Sequence, residues 1–189
     1  RQVIEDNQIA LICPDTRGYG KALWTGLRAA PGDFIVTMDA DISHPPQFLY
    51  ELWQARLDSD VVIASRYVPG GRAEMPFSRY LLSKILNTFF SWGLGLNVRD
   101  LSSGYRLYAK RVIQHIEITA ADFDALQEIL VKAAYAGFQI HEIPFAYHPR
   151  KRGSSHARVF KFGLAYLRLF ARLWLLRIKS HFTSATQNR

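Results

Sequence analysis

The stretch from Asp33 to Pro46 (Asp-Phe-Ile-Val-Thr-Met-Asp-Ala-Asp-Ile-Ser-His-Pro-Pro) constrains this chain more than any other. Phe34 to Met38 is too short for a stable helix and rich in strand formers, which predicts a strand buried on both faces. Asp39 and Asp41 follow at its end, and Pro45-Pro46 stop the strand and prepare a helix start. In open α/β sheets ligands bind beyond the carboxyl ends of the strands. Residues two apart in extended backbone share a face, so both carboxylates are expected on one side. Two hard oxygen donors there suit a divalent cation whose other ligands are water and substrate phosphates. The competing reading is a polar strand end with a helix cap.

Around this stretch the periodicities alternate between strand and helix. Ile9 to Cys13 and Asp60 to Ser65 read as apolar strands, and Phe138 to His148 alternates like one. Helical patterns cover Lys21 to Ala30, Pro46 to about Leu57, Ser78 to Leu94 and Asp122 to Ala136. Strand, helix, strand in this order implies parallel strands with right-handed crossovers. The Ser78–Leu94 segment has apolar side chains all round, so it is buried or faces lipid or a partner. The 189 residues suit one domain with a sizeable core. The lone Cys13 cannot form an internal disulfide, and no signal-peptide pattern follows Arg1.

Further polar clusters punctuate the strand ends. A Gly18-Tyr19-Gly20-Lys21 turn entering a helix can bring backbone N–H groups to a phosphate, although a plain turn has the same pattern. Arg66 sits just past a strand, where it can meet a phosphate or pair on the surface. Arg106 offers a planar fork, with a structural pairing to Asp100 as the alternative. Asp122 and Asp124 suit the first turn of a helix on dipole grounds alone, and Glu128 lies deeper.

Asp39 to Pro46 closely resembles the Asp-Ala-Asp-Leu-Gln-His-Pro-Pro signature of family 2 glycosyltransferases, nearest to the dolichol-phosphate mannose synthase branch. Three further motifs follow in the family's order. Ser65-Arg66-Tyr67 is similar to Gly-Ser-Arg-Tyr, with Ala64 for the Gly, and Asp100 to Arg106 to Asp-x-x-Ser-Gly-Phe-Arg, with Tyr105 for the Phe. Arg150 to His156 is similar to Arg-x-x-Gly-x-Ser-Lys, with His156 for the Lys.

The resemblance implies an α/β GT-A (Rossmann-like) fold with a mostly parallel sheet. It also implies inverting transfer of a hexose from a nucleotide diphosphate sugar, of the GDP-mannose or UDP-glucose type, to a polyprenyl phosphate. On the matching positions, Asp39 and Asp41 would hold Mg2+ or Mn2+, and Asp41, Arg106 and Glu128 would be catalytic. Asp39, Gly18, Gly20, Lys21, Ser65, Arg66, Asp100, Ser103, Gly104, Arg150 and Ser155 would contact substrates, while Glu142-Ile143-Pro144 would be structural. Two departures stand out. Ser43 replaces a Gln beside the metal. The family's opening Pro-x-Tyr-Asn-Glu strand and Asp-Asp-Gly-Ser loop have no counterpart, so the resemblance is to an N-terminally truncated copy.

The net charge of +8 lies towards the carboxyl end. After Glu142 there is no Asp or Glu but ten Lys or Arg, leaving 14 basic against 16 acidic residues up to and including it. Arg158, Lys161, Arg168, Arg172 and Lys179 fall on one helical stripe opposite an aromatic and aliphatic face. Mid-segment charges make this a poor span, so the expectation is a catalytic domain over 1–156 and an amphipathic helix and tail over 157–189. That helix would lie on an anionic membrane at its cytoplasmic face, with a helix packed on the sheet as the alternative. Other classes are a fragment acting as a membrane- or partner-binding module, and a nucleic-acid binder. Against the latter, the positive charges are interleaved with Leu and Phe on one helix and offer no stacking platform.

Overall fold

The computed structural model describes residues 9–13, 17–41, 43–148 and 169–175. In chain order its elements are α1 (Tyr19–Ala29), β1 (Phe34–Thr37), α2 (Leu49–Gln54), β2 (Val61–Ser65), β3 (Arg72–Ala73), α3 (Phe77–Leu94), β4 (Arg106–Ala109), α4 (Lys110–His115), α5 (Ala125–Tyr135), β5 (Ile140–Pro144) and β6 (Ala146–Tyr147). Residues 169–175 form a further helix, α6. Four strands make one sheet in the order β1-β4-β2-β5, and β3 pairs with β6 in a small parallel ribbon.

β1, β2 and β5 run in one direction, but the ladder is mixed. β4 lies antiparallel between β1 and β2, and within this sheet, among the described residues, only β2 and β5 make a parallel pair. β1 and β2 are parallel in direction, as the strand-helix-strand order implies, but the sheet expected to be mostly parallel is mixed because β4 lies between them. The strand buried on both faces is β2: Val61 and Ile63 enter one core cluster, Val62 and Ala64 the other. β1 is instead an edge strand among the described residues, with Ile35 buried but Phe34, Val36 and Met38 exposed. Ile9 to Cys13 forms no ladder in the described residues and is exposed, because a strand exists only through a partner.

The larger core cluster joins Leu27 of α1, Phe90 and Leu94 of α3, Val112 and Ile113 of α4, Ile129 and Leu130 of α5, and Leu169 and Leu173 of α6. Leu169 and Leu173, four apart, form the buried stripe of α6. Phe170 lies between Phe89 and Phe90, at ring distances of 5.0 and 5.2 Å, over Gly93, where a Cβ would come within 2.5 Å of its ring. The described part of the Arg158–Lys179 segment therefore packs on the protein. Arg158, Lys161, Arg168, Lys179 and the 156/157 boundary lie outside the described residues. No described helix is long and apolar enough to cross a membrane.

Candidate active site

The register places one chemical edge. Thr37, the last residue of β1, is opposite Arg106, the first of β4, and Ser65 ends β2 opposite Pro144 of β5. The segments 38–41, 43–45, 66–71 and 97–105 therefore converge there, the last arriving from the opposite direction because β4 is antiparallel. The Thr37 hydroxyl fastens two of them by donating to the Gly104 carbonyl at 2.8 Å.

Asp39 and Asp41 do not continue the strand; a turn orients them. The Asp39 N–H donates to His44 Nδ1 at 2.8 Å, which leaves the ring proton on Nε2, 3.9 Å from Asp39 Oδ2. The His44 ring stacks on Tyr105 at 4.7 Å, and the Tyr105 hydroxyl donates to the Pro45 carbonyl. Burial lowers the His44 pKa despite Asp39 and Asp41, so the ring stays neutral and accepting. Asp41 Oδ1 accepts from the Ser43 N–H at 3.1 Å and its hydroxyl at 2.6 Å, an Asx-type turn. Gly104 completes the wall: a Cβ there would lie 3.3 Å from the Tyr19 hydroxyl, 3.8 Å from Asp39 Oδ1 and 3.9 Å from the His44 ring. Tyr19 stacks on Phe123 at 4.3 Å, and its pKa is pushed up to about 12 by burial and Asp39, so it stays a donor. The half-exposed Asp39 carboxylate thus faces a wall of His44, Gly104 and Tyr19.

Several residues expected at substrate instead build the frame. Arg66 directs its fork at buried Asp100 (Nε to Oδ2 2.8 Å, Nη2 to Oδ1 2.7 Å) and also donates to Ser102. Burial would raise the Asp100 pKa, but Arg66 outweighs it and holds the carboxylate ionised. The ion-pair partner of Asp100 is thus Arg66, where the alternative reading had Arg106. Asp100 also accepts from the Ser102 and Ser103 N–H groups, and Glu142 accepts from those of Arg99 and Asp100, which fixes the loop. Ser65 and Ser103 are buried, their hydroxyls accepting from the Tyr67 and Tyr105 N–H groups.

Arg106 is fully buried. Its guanidinium donates to the Leu126 and Leu101 carbonyls at 2.8 and 2.7 Å, while Nε has no partner among the described residues. In this structure it ties β4 to α5 and the 97–105 loop. Glu128 is equally enclosed, accepting from Ala120 N–H (2.7 Å), Thr119 N–H (3.0 Å) and Lys132 Nζ (2.8 Å), with Arg172 at 3.3 Å. Burial would raise its pKa, but Lys132 and the two N–H groups hold it below the usual carboxylate range. Glu128, expected as catalytic, is thus a clasp joining α5, the 117–121 loop and α6 in this structure, and Arg172 points at it. At α1, the Gly20 and Lys21 N–H groups both donate to the Ala121 carbonyl. A Cβ on Gly18 or Gly20 would collide with the carbonyls of 120–122, so these glycines serve close approach to that loop. Lys21 is exposed on the first turn. Arg150 and Ser155 lie outside the described residues. Tyr19 and His44 are the site residues that motif reading passed over. The signals were a Tyr between two close-packing glycines and a His five residues after the first Asp.

The sequence model for "Glycosyl transferase family 2" matches residues 2–117. The dolichol-phosphate mannosyltransferase of Pyrococcus furiosus is 37% identical over 161 residues, covering 83% of this chain and 45% of its own length. The polyprenol monophosphomannose synthase of Mycolicibacterium smegmatis is 36% identical over 126 residues, 64% of this chain and 48% of that protein. The chain spans about half the length of these two relatives. Among solved structures, glucosyl-3-phosphoglycerate synthase from Mycobacterium tuberculosis, in complex with Mn2+, UDP-glucose and phosphoglyceric acid, superposes with a TM-score of 0.62. The identity is 19%, and the match covers 87% of this chain and 56% of that one. That likeness establishes the GT-A α/β fold. The family itself is shown by the matched model, which spans more than half of the chain: the chain belongs to glycosyl transferase family 2.

Proposed function

We propose that this protein transfers a hexose from a nucleotide diphosphate sugar to a polyprenyl phosphate, with inversion, at the cytoplasmic face of a membrane. The observation that carries the reading is the Asp39–His44–Gly104–Tyr19 wall at the end of β1, in a chain with 37% identity to a dolichol-phosphate mannosyltransferase. Asp39 and Asp41 supply oxygen donors of the type Mg2+ or Mn2+ takes. Among the described residues no group of three or more His, Cys, Asp or Glu side chains could hold an ion, so two carboxylates completed by diphosphate oxygens and water is the mode that fits. When bound, such an ion neutralises charge on the departing nucleotide diphosphate. His44 holds the Asp39 backbone, Ser43 holds Asp41, and Tyr19 offers a protonated hydroxyl beside Asp39. The acceptor is already anionic as a phosphate monoester, so the scheme requires no dedicated base, consistent with Glu128 being occupied as a clasp.

The test is transfer from GDP-mannose or UDP-glucose to undecaprenyl phosphate with Mg2+ or Mn2+. Lipid-linked hexose should form, chelator should abolish it, and Asp41→Asn should reduce it at least about a hundredfold. Absence of any lipid-linked sugar with either donor refutes the reading.

A further inference from the structure

We infer that the Tyr19 hydroxyl and Asp39 Oδ1 together form a subsite for one sugar hydroxyl of the donor substrate. The inference rests on the nucleotide diphosphate sugar reading and deepens it, because it names a side chain that recognises the sugar part of that donor. Tyr19 opens α1 between Gly18 and Gly20, and its place is fixed from two directions. The Gly20 N–H donates to the Ala121 carbonyl at 2.8 Å, which holds the first turn of α1 against residues 120–122. The ring lies flat on that of Phe123, with centroids 4.3 Å apart and an interplanar angle of 16°. A phenol held by a stack and a backbone anchor presents its hydroxyl at one place, with little left to order when a ligand binds.

That place is beside the first carboxylate. A Cβ on Gly104 would lie 3.3 Å from the Tyr19 hydroxyl and 3.8 Å from Asp39 Oδ1, so a glycine there lets both polar atoms border one spot. The other carboxylate oxygen, Oδ2, is the one 3.9 Å from His44 Nε2. Among the described residues the Tyr19 hydroxyl donates to no other group. The two atoms are complementary in kind. A carboxylate oxygen only accepts, and a phenol, protonated at neutral pH, donates. A phosphate oxygen would suit Tyr19 but be repelled by Asp39 wherever no cation lies between them. A sugar hydroxyl satisfies both at once, donating to Asp39 Oδ1 while accepting from Tyr19. The second oxygen of Asp39 is left to serve an ion. The hexose and the ribose of the donor both carry such hydroxyls, and the experiment separates them.

The test is calorimetry of the full chain with Mn2+ and GDP-mannose or UDP-glucose, alongside the single-deoxy hexose analogues and the single-deoxy ribose forms of both. Tyr19→Phe keeps the stack on Phe123, so it should leave the melting temperature unchanged while weakening the better-bound parent about fivefold to tenfold. One deoxy ligand should bind the unsubstituted protein at least about tenfold more weakly than its parent, because Asp39 and Tyr19 both lose their partner. For that ligand alone the Tyr19→Phe penalty should disappear, and whether it lacks a hexose or a ribose hydroxyl identifies the sugar that is read. A penalty that persists on every deoxy ligand assigns the contact to the diphosphate and overturns the inference. So does a Tyr19→Phe protein that binds the parent undiminished. A deoxy series in which no member loses affinity overturns it whatever the variant's folding. In each of these three cases the donor still binds, and the nucleotide-sugar reading stands. If neither parent binds, that reading falls and takes the subsite with it. A protein that shows the subsite but transfers to no polyprenyl phosphate keeps the inference and loses the acceptor reading.

Discussion

Glu128 separates the clasp seen in the structure from the catalytic role its position in the motif implies. The perturbation is Glu128→Ala. The carboxylate is fully buried and accepts from two backbone N–H groups and from Lys132 Nζ, itself largely covered. Removing one member of a buried, hydrogen-bonded ion pair costs about 3–5 kcal/mol, because the remaining groups lose their partner without regaining water. Arg172 is 47% exposed, so its share is close to that of a surface pair and adds little. For a domain of this size each kcal/mol moves the melting temperature by roughly 2–4 °C, so the expected drop is about 6–20 °C. The acid dependence has a definite sign. The folded pKa lies below the ordinary carboxylate value, so the stabilisation is full above that value and disappears as pH falls through the folded one. The gap between wild type and Glu128→Ala, measured by urea unfolding, should therefore be widest near neutrality and close in acid. Glu128→Gln, which keeps one acceptor oxygen, should fall between. A Glu128→Gln protein with wild-type stability but no transfer activity would refute the clasp and restore the catalytic reading.

Three other outcomes follow from the site's geometry. Arg66→Lys keeps the charge but loses the fork to Asp100, and should lower stability by about 2–4 kcal/mol in a denaturant melt, where a surface phosphate ligand would leave it unchanged. Gly104→Ala forces the Tyr19 hydroxyl to yield at 3.3 Å; calorimetry should show nucleotide-sugar binding weakened about tenfold or more with melting nearly unchanged. His44→Ala removes the acceptor of the Asp39 N–H and the stack on Tyr105, and should weaken Mn2+-dependent nucleotide binding more than metal-independent binding.

Local chemistry made much of this protein legible in its sequence. The Phe34–Thr37 strand, the break at Pro45-Pro46, the helix ending at Leu94 and the family itself follow from propensity, proline geometry and motif order, which depend on residues close in the chain. What each long charged side chain holds did not follow. Arg66 and Arg106 read alike as phosphate-binding forks, and only the folded chain assigns them to Asp100 and to the Leu101 and Leu126 carbonyls. The deciding event is the antiparallel insertion of β4 between β1 and β2, which brings residues 97–105 to the sheet edge from the far side and buries Arg106. Likewise, the all-round apolar character of α3 said that one face needed a partner. Only the inward turn of Asn87 and Ser91 decided which face the protein covers and which it leaves outside, because a buried polar group goes where its hydrogen bonds are.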